Sequence, residues 1–334
     1  MIKNNFAYHV PESLSKAYKL KKEAKRSAYL GGGTDYIPLL KSNLKKPGSI
    51  VSLDKTMELT GIKKEEGGTF IGSMTTLRQI YENKDVQRLL PSLCQAARKV
   101  ASPQIRNMGT IGGNILQDRR CIYFNQSDEW RTNINKCFKV GGKVCLQAPA
   151  SKVCRALYYS DIAPVLLSLD AEAEIFDGKL SRIPVRDIIE KHINLNGFIN
   201  THDYILTGLF IPNLPEKSWT KFEKYSLRDS LNFAITNTGI RYSQCENNLV
   251  IKIIVGAVSP MPIELKDTAE MIIDKLDNLK ICKDDIKSFA LSELSKKCLL
   301  VHEAGISIKV KKNTFKNILY VVDELVSKII DNNR

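Results

Sequence analysis

Of the eight cysteines in these 334 residues, Cys121, Cys137, Cys145 and Cys154 fall within about a tenth of the chain. Fifteen, seven and eight residues separate them, with Gly141, Gly142 and Pro149 between, so the segment reads as a folded-back loop and not as a helix with ligands on one face. More than forty residues separate Asn114 from Asp161, and so long a loop inside a compact domain needs a reason to be ordered. Four thiolates around one metal centre would supply it, closing the loop and neutralising their own charge. Zinc competes with iron–sulfur, since four cysteinates also make a closed tetrahedral site, although the paired C-x-x-C knuckles of a zinc ribbon are missing. Spacing alone leaves the two metals open. The remaining Cys94, Cys245, Cys282 and Cys298 are scattered and read as small core residues. His9, His192, His202 and His302 form no H-x-x-x-H pair and no triad with a nucleophile, so no chemistry is assigned to them.

Two glycine-rich segments could hold an organic cofactor. Gly31, Gly32 and Gly33, followed by Thr34 and Asp35, run between an expected strand and an expected helix. Glycines there permit close backbone approach, and the helix start offers unpaired N–H groups, together an anion cradle suited to a diphosphate. Asp35 would repel a phosphate, so it is expected to cap the helix or face away. The loop is neither G-x-G-x-x-G nor a P-loop, and a plain turn is the alternative. The second segment, ASPQIRNMGTIGGN from Ala101 to Asn114, is too irregular for a helix and too glycine-rich for a plain strand. Its main chain could lie against a planar ring while Thr110 and Asn114 bond the ring's polar edge; a tightly packed crossover between lobes is equally compatible.

The elements that would position these loops are legible in part. Pro11 to Ala24 reads as an amphipathic helix, Ala28 to Leu30 as a strand, Tyr36 to Leu44 as a helix and Ile50 to Leu53 as a strand, a small α/β lobe. A hairpin, Gly61 to Lys64 and Thr69 to Gly72 about Gly67–Gly68, precedes helices near Thr76 to Tyr81 and Leu93 to Val100. Strands return at Ala171 to Phe176 and Tyr204 to Ile211, and Pro212 to Lys217 reads as a linker. Beyond it, strands are expected at Lys221 to Ser226, Gly239 to Cys245, Asn248 to Val258 and Gly305 to Val310. Helices are expected at Asp267 to Leu276, Lys283 to Leu294 and Asn313 to Asp331.

Composition sets the bounds. Hydrophobic residues make up 43% and charged residues 26%, ordinary for a soluble globular protein, and no apolar run is long enough to span a membrane. Met1 to Tyr8 shows no signal-peptide pattern, which makes the cytoplasm the expected address and a disulfide framework unexpected. Fifty Lys and Arg against 36 Asp and Glu leave a charge of +14. The basic residues form no reading motif, so nucleic-acid binding is not expected.

LGGGTD, then SPQIRNMGTIGGN, then DIAPVLLSLDAEAEI at Asp161 to Ile175, resemble in order and spacing the FAD-binding domain of the molybdenum hydroxylase flavoproteins, the family of the xanthine dehydrogenase and carbon monoxide dehydrogenase medium subunits. KFEKYSLRDSLNFAITN, from Lys221 to Asn237, resembles the opening of that family's C-terminal domain. The resemblance implies an α+β fold: a bilobed PCMH-type FAD-binding domain over 1–215, and a smaller α+β CO-dehydrogenase-flavoprotein-like C-terminal domain over 216–334. It implies that Ala28, Tyr29, Leu30, Gly31, Gly32, Gly33, Thr34 and Asp35 meet the FAD pyrophosphate and that Thr110, Ile111, Gly112, Gly113 and Asn114 lie along the flavin. Asp161 matches a cofactor-contacting aspartate, Lys224 a lysine near the flavin ring and Val100 a position beside the adenine. A cap, a solvated strand residue and ordinary core are their respective alternatives.

The insertion at about 117–158 resembles that of the 4-hydroxybenzoyl-CoA reductase flavoprotein subunit. There an equivalent loop holds a [4Fe-4S] cluster, which implies that ligand set for Cys121, Cys137, Cys145 and Cys154; Tyr123 would touch the flavin or pack over the cluster. The implied role is electron transfer between ferredoxin, or another acidic carrier, and the [2Fe-2S] small subunit and molybdenum-cofactor large subunit of a dimer of heterotrimers. No molybdenum-site motif or acid/base constellation lies in this chain, so no catalytic residue is assigned. A xanthine dehydrogenase-like or aldehyde-oxidising flavoprotein using NAD, and a zinc-stapled non-catalytic binding protein, are the rival readings.

Overall fold

The computed structural model describes residues 2, 4–193, 203–228, 231–245, 248–303 and 306–332. Strands β1 (Ala7–His9), β2 (Ser27–Leu30) and β3 (Ser49–Ser52) form a parallel sheet in the order β1-β3-β2. The helix Leu14–Glu23 connects the first two, its start fixed by Ser13, whose Oγ accepts from Lys16 N. Buried Ala17 and half-buried Leu14, Tyr18 and Leu20 put that helix's apolar stripe on the core around Val51 and Leu59.

The second lobe is antiparallel. β4 (Ile62–Glu65), β5 (Gly68–Gly72), β6 (Glu172–Phe176), β7 (Leu180–Pro184) and β8 (Ile205–Pro212) lie in the order β4-β5-β8-β6-β7. Glu65 pairs with Gly68, so the hairpin turns on Glu66–Gly67 and not on the two glycines; Gly67, at φ +78°, takes the left-handed position. Helices Leu77–Glu82, Lys84–Leu89, Pro91–Lys99 and Val185–Ile193 pack into one apolar core with β5, β6 and β8. At its centre lies Ala163–Ser168, a helix buried on every side.

The third sheet, β9 (Lys217–Tyr225), β10 (Thr236–Cys245), β11 (Asn248–Gly256) and β12 (Ile263–Glu264), is antiparallel in the order β12-β11-β10-β9. Helices Lys266–Asp274, Leu279–Lys297 and Asn317–Asn332 cover one face. The other face meets the second lobe: Gly239 leaves no room for a Cβ beside Pro164 O at 2.5 Å, and Gln95 Oε1 accepts from Phe222 N at 2.9 Å.

Two further expectations are corrected. The Gly305 to Val310 strand is replaced by the helix Ile308–Thr314, because Ser307 Oγ accepts from Val310 N and caps it; Gly305 itself lies outside the described residues, as does His202. The irregular second glycine segment contains two short helices, Pro103–Met108 and Ile111–Ile115, capped by Ser102 and Thr110. Of the two roles expected for Asp35, capping is not the one taken: it occupies an N-cap position without a capping bond, and its carboxylate accepts from Asp118 N. Among the described residues no helix is long and apolar enough to cross a membrane.

Candidate functional site

The two glycine segments meet. A Cβ on Gly32 would stand 1.7 Å from Met108 O and 2.6 Å from Met108 C, so only glycine lets the two loops press backbone to backbone. Gly112 is held as closely against Ser73, whose O accepts from Gly112 N at 2.9 Å. Ile111 N donates to Thr75 O and Leu77 N to Gly109 O, stitching the second segment to the end of β5. Gly33 sits at φ +75°, which a side chain would strain.

This seam separates two cavities that share Thr34, Asp35, Thr110 and Gly113 as a common wall. The first, of about 260 Å³, is lined by all of residues 28–35, by Gly112 and by Lys21, Ser27, Ser73, Met74 and His192. The hydroxyls of Ser27, Tyr29 and Ser73 on its wall have no hydrogen-bond partner among the described residues. Buried hydroxyls left this way are costly unless a ligand bonds them, so the wall is built for a polar guest. Burial pushes the Lys21 ammonium down from its usual value and the Tyr29 phenol up.

The second cavity, of about 210 Å³, is lined by Val100, Asn114, Arg120, Tyr159, Asp161, Lys224 and Phe233, among others. Lys224 Nζ donates to Asp161 Oδ2 at 2.6 Å and to Lys99 O at 2.9 Å. Asn237 Nδ2 donates to Asp161 Oδ1 at 2.7 Å. Burial pushes the Asp161 carboxyl up, and Lys224 and Asn237 pull against it. Neither residue is therefore a simple cap or solvated strand residue. Val100 follows the carbonyl that Lys224 bonds, so the structure puts at one end of one cavity two residues that the resemblance gave to the adenine and the flavin. Ile111 is fully buried in the core and offers a ligand only its backbone.

Cys121, Cys137, Cys145 and Cys154 line one small cavity with Tyr123, Phe124, Phe138, Lys139, Leu146, Gln147 and Ala156. The fold therefore gathers four cysteines scattered over the loop. Among the described residues, no three His, Cys, Asp or Glu side chains converge on the position of a single metal ion. The Phe124 and Val140 amides donate to the carbonyl oxygens of Cys121 and Cys137 at 3.0 and 2.9 Å, and Gln147 Nε2 lies 4.0 Å from the Cys121 sulfur. Burial pushes both thiols up. Tyr123 belongs to this wall and to neither of the larger cavities, its ring 6.1 Å from that of Trp130.

The stem of the cysteine loop is strongly tied. Arg119 Nη1 donates to Cys154 O at 3.1 Å, and Arg120 and Leu157 exchange backbone hydrogen bonds at 2.8 and 2.9 Å. Lys139, 2% exposed, pairs with Asp118 and donates to Arg119 O at 2.6 Å. Sequence reasoning missed Arg120, His192, Ser27, Ser73 and Phe233 in these walls. Phe233 lies within the stretch Lys221 to Asn237 but was not singled out there; the others belong to no motif, and only the tertiary fold brings them to a cavity.

A family model described as the FAD binding domain in molybdopterin dehydrogenase matches residues 4–214. The carbon monoxide dehydrogenase medium chain of Hydrogenophaga pseudoflava is 37% identical over 116 residues, 34% of this chain and 40% of that one. The xanthine dehydrogenase FAD-binding subunit of Escherichia coli O157:H7 is 28% identical over 261 residues, 77% of this chain and 75% of that one. In fold the chain is similar to a solved structure of reconstituted CO dehydrogenase from Oligotropha carboxidovorans, at a TM-score of 0.73 and 21% identity over 98% of this chain and 100% of the other. That likeness extends through the C-terminal sheet and helices, so the expected α+β architecture of an FAD-binding domain followed by a C-terminal domain holds. With its two-cavity seam of glycines and this match over most of its length, the chain belongs to the family of FAD-binding domains of molybdopterin dehydrogenases.

Proposed function

We propose that this chain is the FAD- and [4Fe-4S]-binding electron-transfer subunit of a molybdenum-containing hydroxylase or reductase complex, of the 4-hydroxybenzoyl-CoA reductase type. The observation that carries the reading is the common cavity of Cys121, Cys137, Cys145 and Cys154, set one residue from Arg120 on the wall of the second glycine cavity. The ligating atoms that the four cysteines offer there are soft sulfurs, the donors iron–sulfur centres use.

FAD fits the paired cavities. It is two planar ring systems joined by a diphosphate, and here two cavities meet at a glycine seam. Residues 28–35 with Thr110, Gly112 and Gly113 would hold the diphosphate, and Ser27, Tyr29 and Ser73 would bond a nucleoside in the first cavity. Val100, Asn114, Asp161 and Lys224 would line the ring in the second, beneath Phe233 and Tyr159. When bound, the flavin exchanges electrons singly or in pairs and so suits a one-electron cluster. The protein's part is positional: Gly32 keeps the seam closed, and Lys224 keeps a cation beside the ring.

In this reading residues 1–215 are the FAD domain, 117–158 its cluster-binding insertion and 216–334 the C-terminal domain. The partners are a [2Fe-2S] small subunit and a molybdenum-cofactor large subunit in a cytoplasmic dimer of heterotrimers. Ferredoxin is the electron donor, and the charge of +14 suits an acidic carrier. The test is the visible spectrum and metal content of protein purified without oxygen. Flavin bands over broad iron–sulfur absorption, with about four irons per chain, are expected for one cubane cluster. A colourless protein carrying one zinc would sink the reading.

A further inference from the structure

We infer that Asp35 is a positioning residue that couples the nucleotide site to the cysteine cavity, so that each site holds its cofactor more firmly when the other is filled. The inference rests on the reading of the two sites given above. Asp35 belongs to the glycine loop and lines both of the larger cavities. Its carboxylate bonds the stem of the cysteine loop. Oδ1 accepts from Arg120 Nη2 at 2.5 Å, and Oδ2 accepts from Asp118 N at 3.0 Å.

Both partners lead straight to ligands. Arg120 precedes Cys121, its backbone is locked to Leu157 behind Cys154, and its guanidinium stacks 4.5 Å from the Phe233 ring on the wall of the second cavity. Asp118 pairs with Lys139, two residues past Cys137. One carboxylate thus ties the loop expected to hold a diphosphate to the chain segments bearing three of the four cysteines. Arg120 Nε is buried with no acceptor among the described residues, so Asp35 carries most of the load of fixing this guanidinium.

A ligand that fixes the glycine loop also fixes Asp35, and through it Arg120 and Cys121. A metal centre that fixes Cys121 does the reverse, and thermodynamic linkage makes the two effects equal. Without FAD the stem has one mobile end, and the cluster is released more readily.

The experiment uses the full chain with flavin and iron content measured first. FAD is removed and restored at saturating concentration, and iron transfer to a ferrous chelator is followed by colour. In the wild type FAD should slow transfer by about tenfold, within the usual range of coupling between sites. In Asp35→Asn, which keeps an acceptor for Asp118 N but loses the charge opposite Arg120, FAD should slow it less than about twofold. Arg120→Lys, which cannot reproduce the stacked fork, should lose the coupling from the other side. The FAD dissociation constant should also weaken when the wild type is stripped of iron, and stay unchanged on stripping in Asp35→Asn. Equal protection by FAD in wild type and Asp35→Asn, or none in a wild type carrying both cofactors, overturns the coupling. A preparation that binds flavin but no iron overturns instead the reading of the cysteine cavity, and the coupling with it.

Discussion

Lys224 Nζ lies 2.6 Å from Asp161 Oδ2, and neither side chain exposes more than 6% of its surface. The pair joins β9 to the segment before the buried helix Ala163–Ser168, and so clamps the C-terminal sheet onto the FAD-binding domain at a cavity wall. Removing one partner of a buried pair strands the other charge, at about 3–5 kcal/mol. Lys224→Met should lose that much stability near neutral pH. Adding Asp161→Asn, which removes the charge but keeps an acceptor for Asn237, should restore most of it. The sign of the pH effect follows from Asp161. Burial already raises its carboxyl, and losing Lys224 raises it further above the unfolded value of about 4. A raised folded-state value gives stability at low pH that is lost as pH rises, so the single variant's deficit should shrink from about pH 7 to about pH 5. Urea unfolding at both values decides; a deficit constant between them would mean that Asp161 is not the stranded charge.

Gly32→Ala should cost flavin more than Gly31→Ala, although the two glycines are neighbours. The added Cβ at 32 meets backbone, Met108 O at 1.7 Å, which cannot swing aside. At 31 it meets only side chains, Thr110 Oγ1 at 3.2 Å and Met74 Sδ at 3.5 Å, which can give by a few tenths of an ångström. Parting the seam should destabilise by about 1–3 kcal/mol, as overpacking usually does, and should open the wall common to both cavities. The measurement is the flavin-to-protein ratio of purified protein beside its melting temperature. Equal flavin loss in the two variants would show that contact with the ligand, not closure of the seam, is what glycine provides.

What the sequence disclosed depended on whether a local pattern carried the information. The helix at 14–23 was legible because its apolar period and Ser13 cap are both local. The helix Ala163–Ser168 was not, because burial on all sides erases an amphipathic period. The Ile308–Thr314 helix was misread because Ile306, Ile308 and Val310 alternate with polar residues as in a strand; the Ser307 cap and the burial of Lys311 against Glu303 decide otherwise. The glycine loops and the cysteines stood out by type and spacing. Their meeting did not: Met108 against Gly32, and Asp35 against Arg120 across 85 positions, are long-range contacts that no sequence window contains. Asp35 was expected to cap a helix or to face away from the ligand; it makes no capping bond, and its carboxylate serves a distant loop.

Cys137→Ser should remove the iron–sulfur absorption and leave FAD largely bound, because Cys137 lines the cysteine cavity and neither of the other two. Serine retains the size but not the soft thiolate that iron–sulfur clusters require. Cys245→Ser is the control, since Cys245 is exposed at the end of β10 and should leave iron content unchanged. Iron, flavin and protein are assayed on the same samples. Iron retained in Cys137→Ser, or lost in Cys245→Ser, would remove the ligand assignment.

His192 should make the protein acid-sensitive. The side chain is buried beside the first cavity, and its Nε2 lies 2.9 Å from Gln117 O, a bond that the neutral ring makes as donor. Burial pushes its proton affinity down, with the Gln117 carbonyl and Asp118 pulling the other way. A folded-state value below the unfolded one means that the unfolded chain binds the extra proton first. Stability is therefore whole above the unfolded value of about 6.5 and declines as pH falls through it, by at most about 1.4 kcal/mol per pH unit for one group. His192→Gln keeps a donor for the Gln117 carbonyl and cannot titrate. It should lose less stability than wild type between about pH 7.5 and about pH 5.5, the span over which an ordinary histidine takes up its proton. Urea unfolding of the two proteins gives the difference directly, and because every other titrating group is common to both, a difference of zero would mean that His192 is protonated alike in the folded and unfolded states.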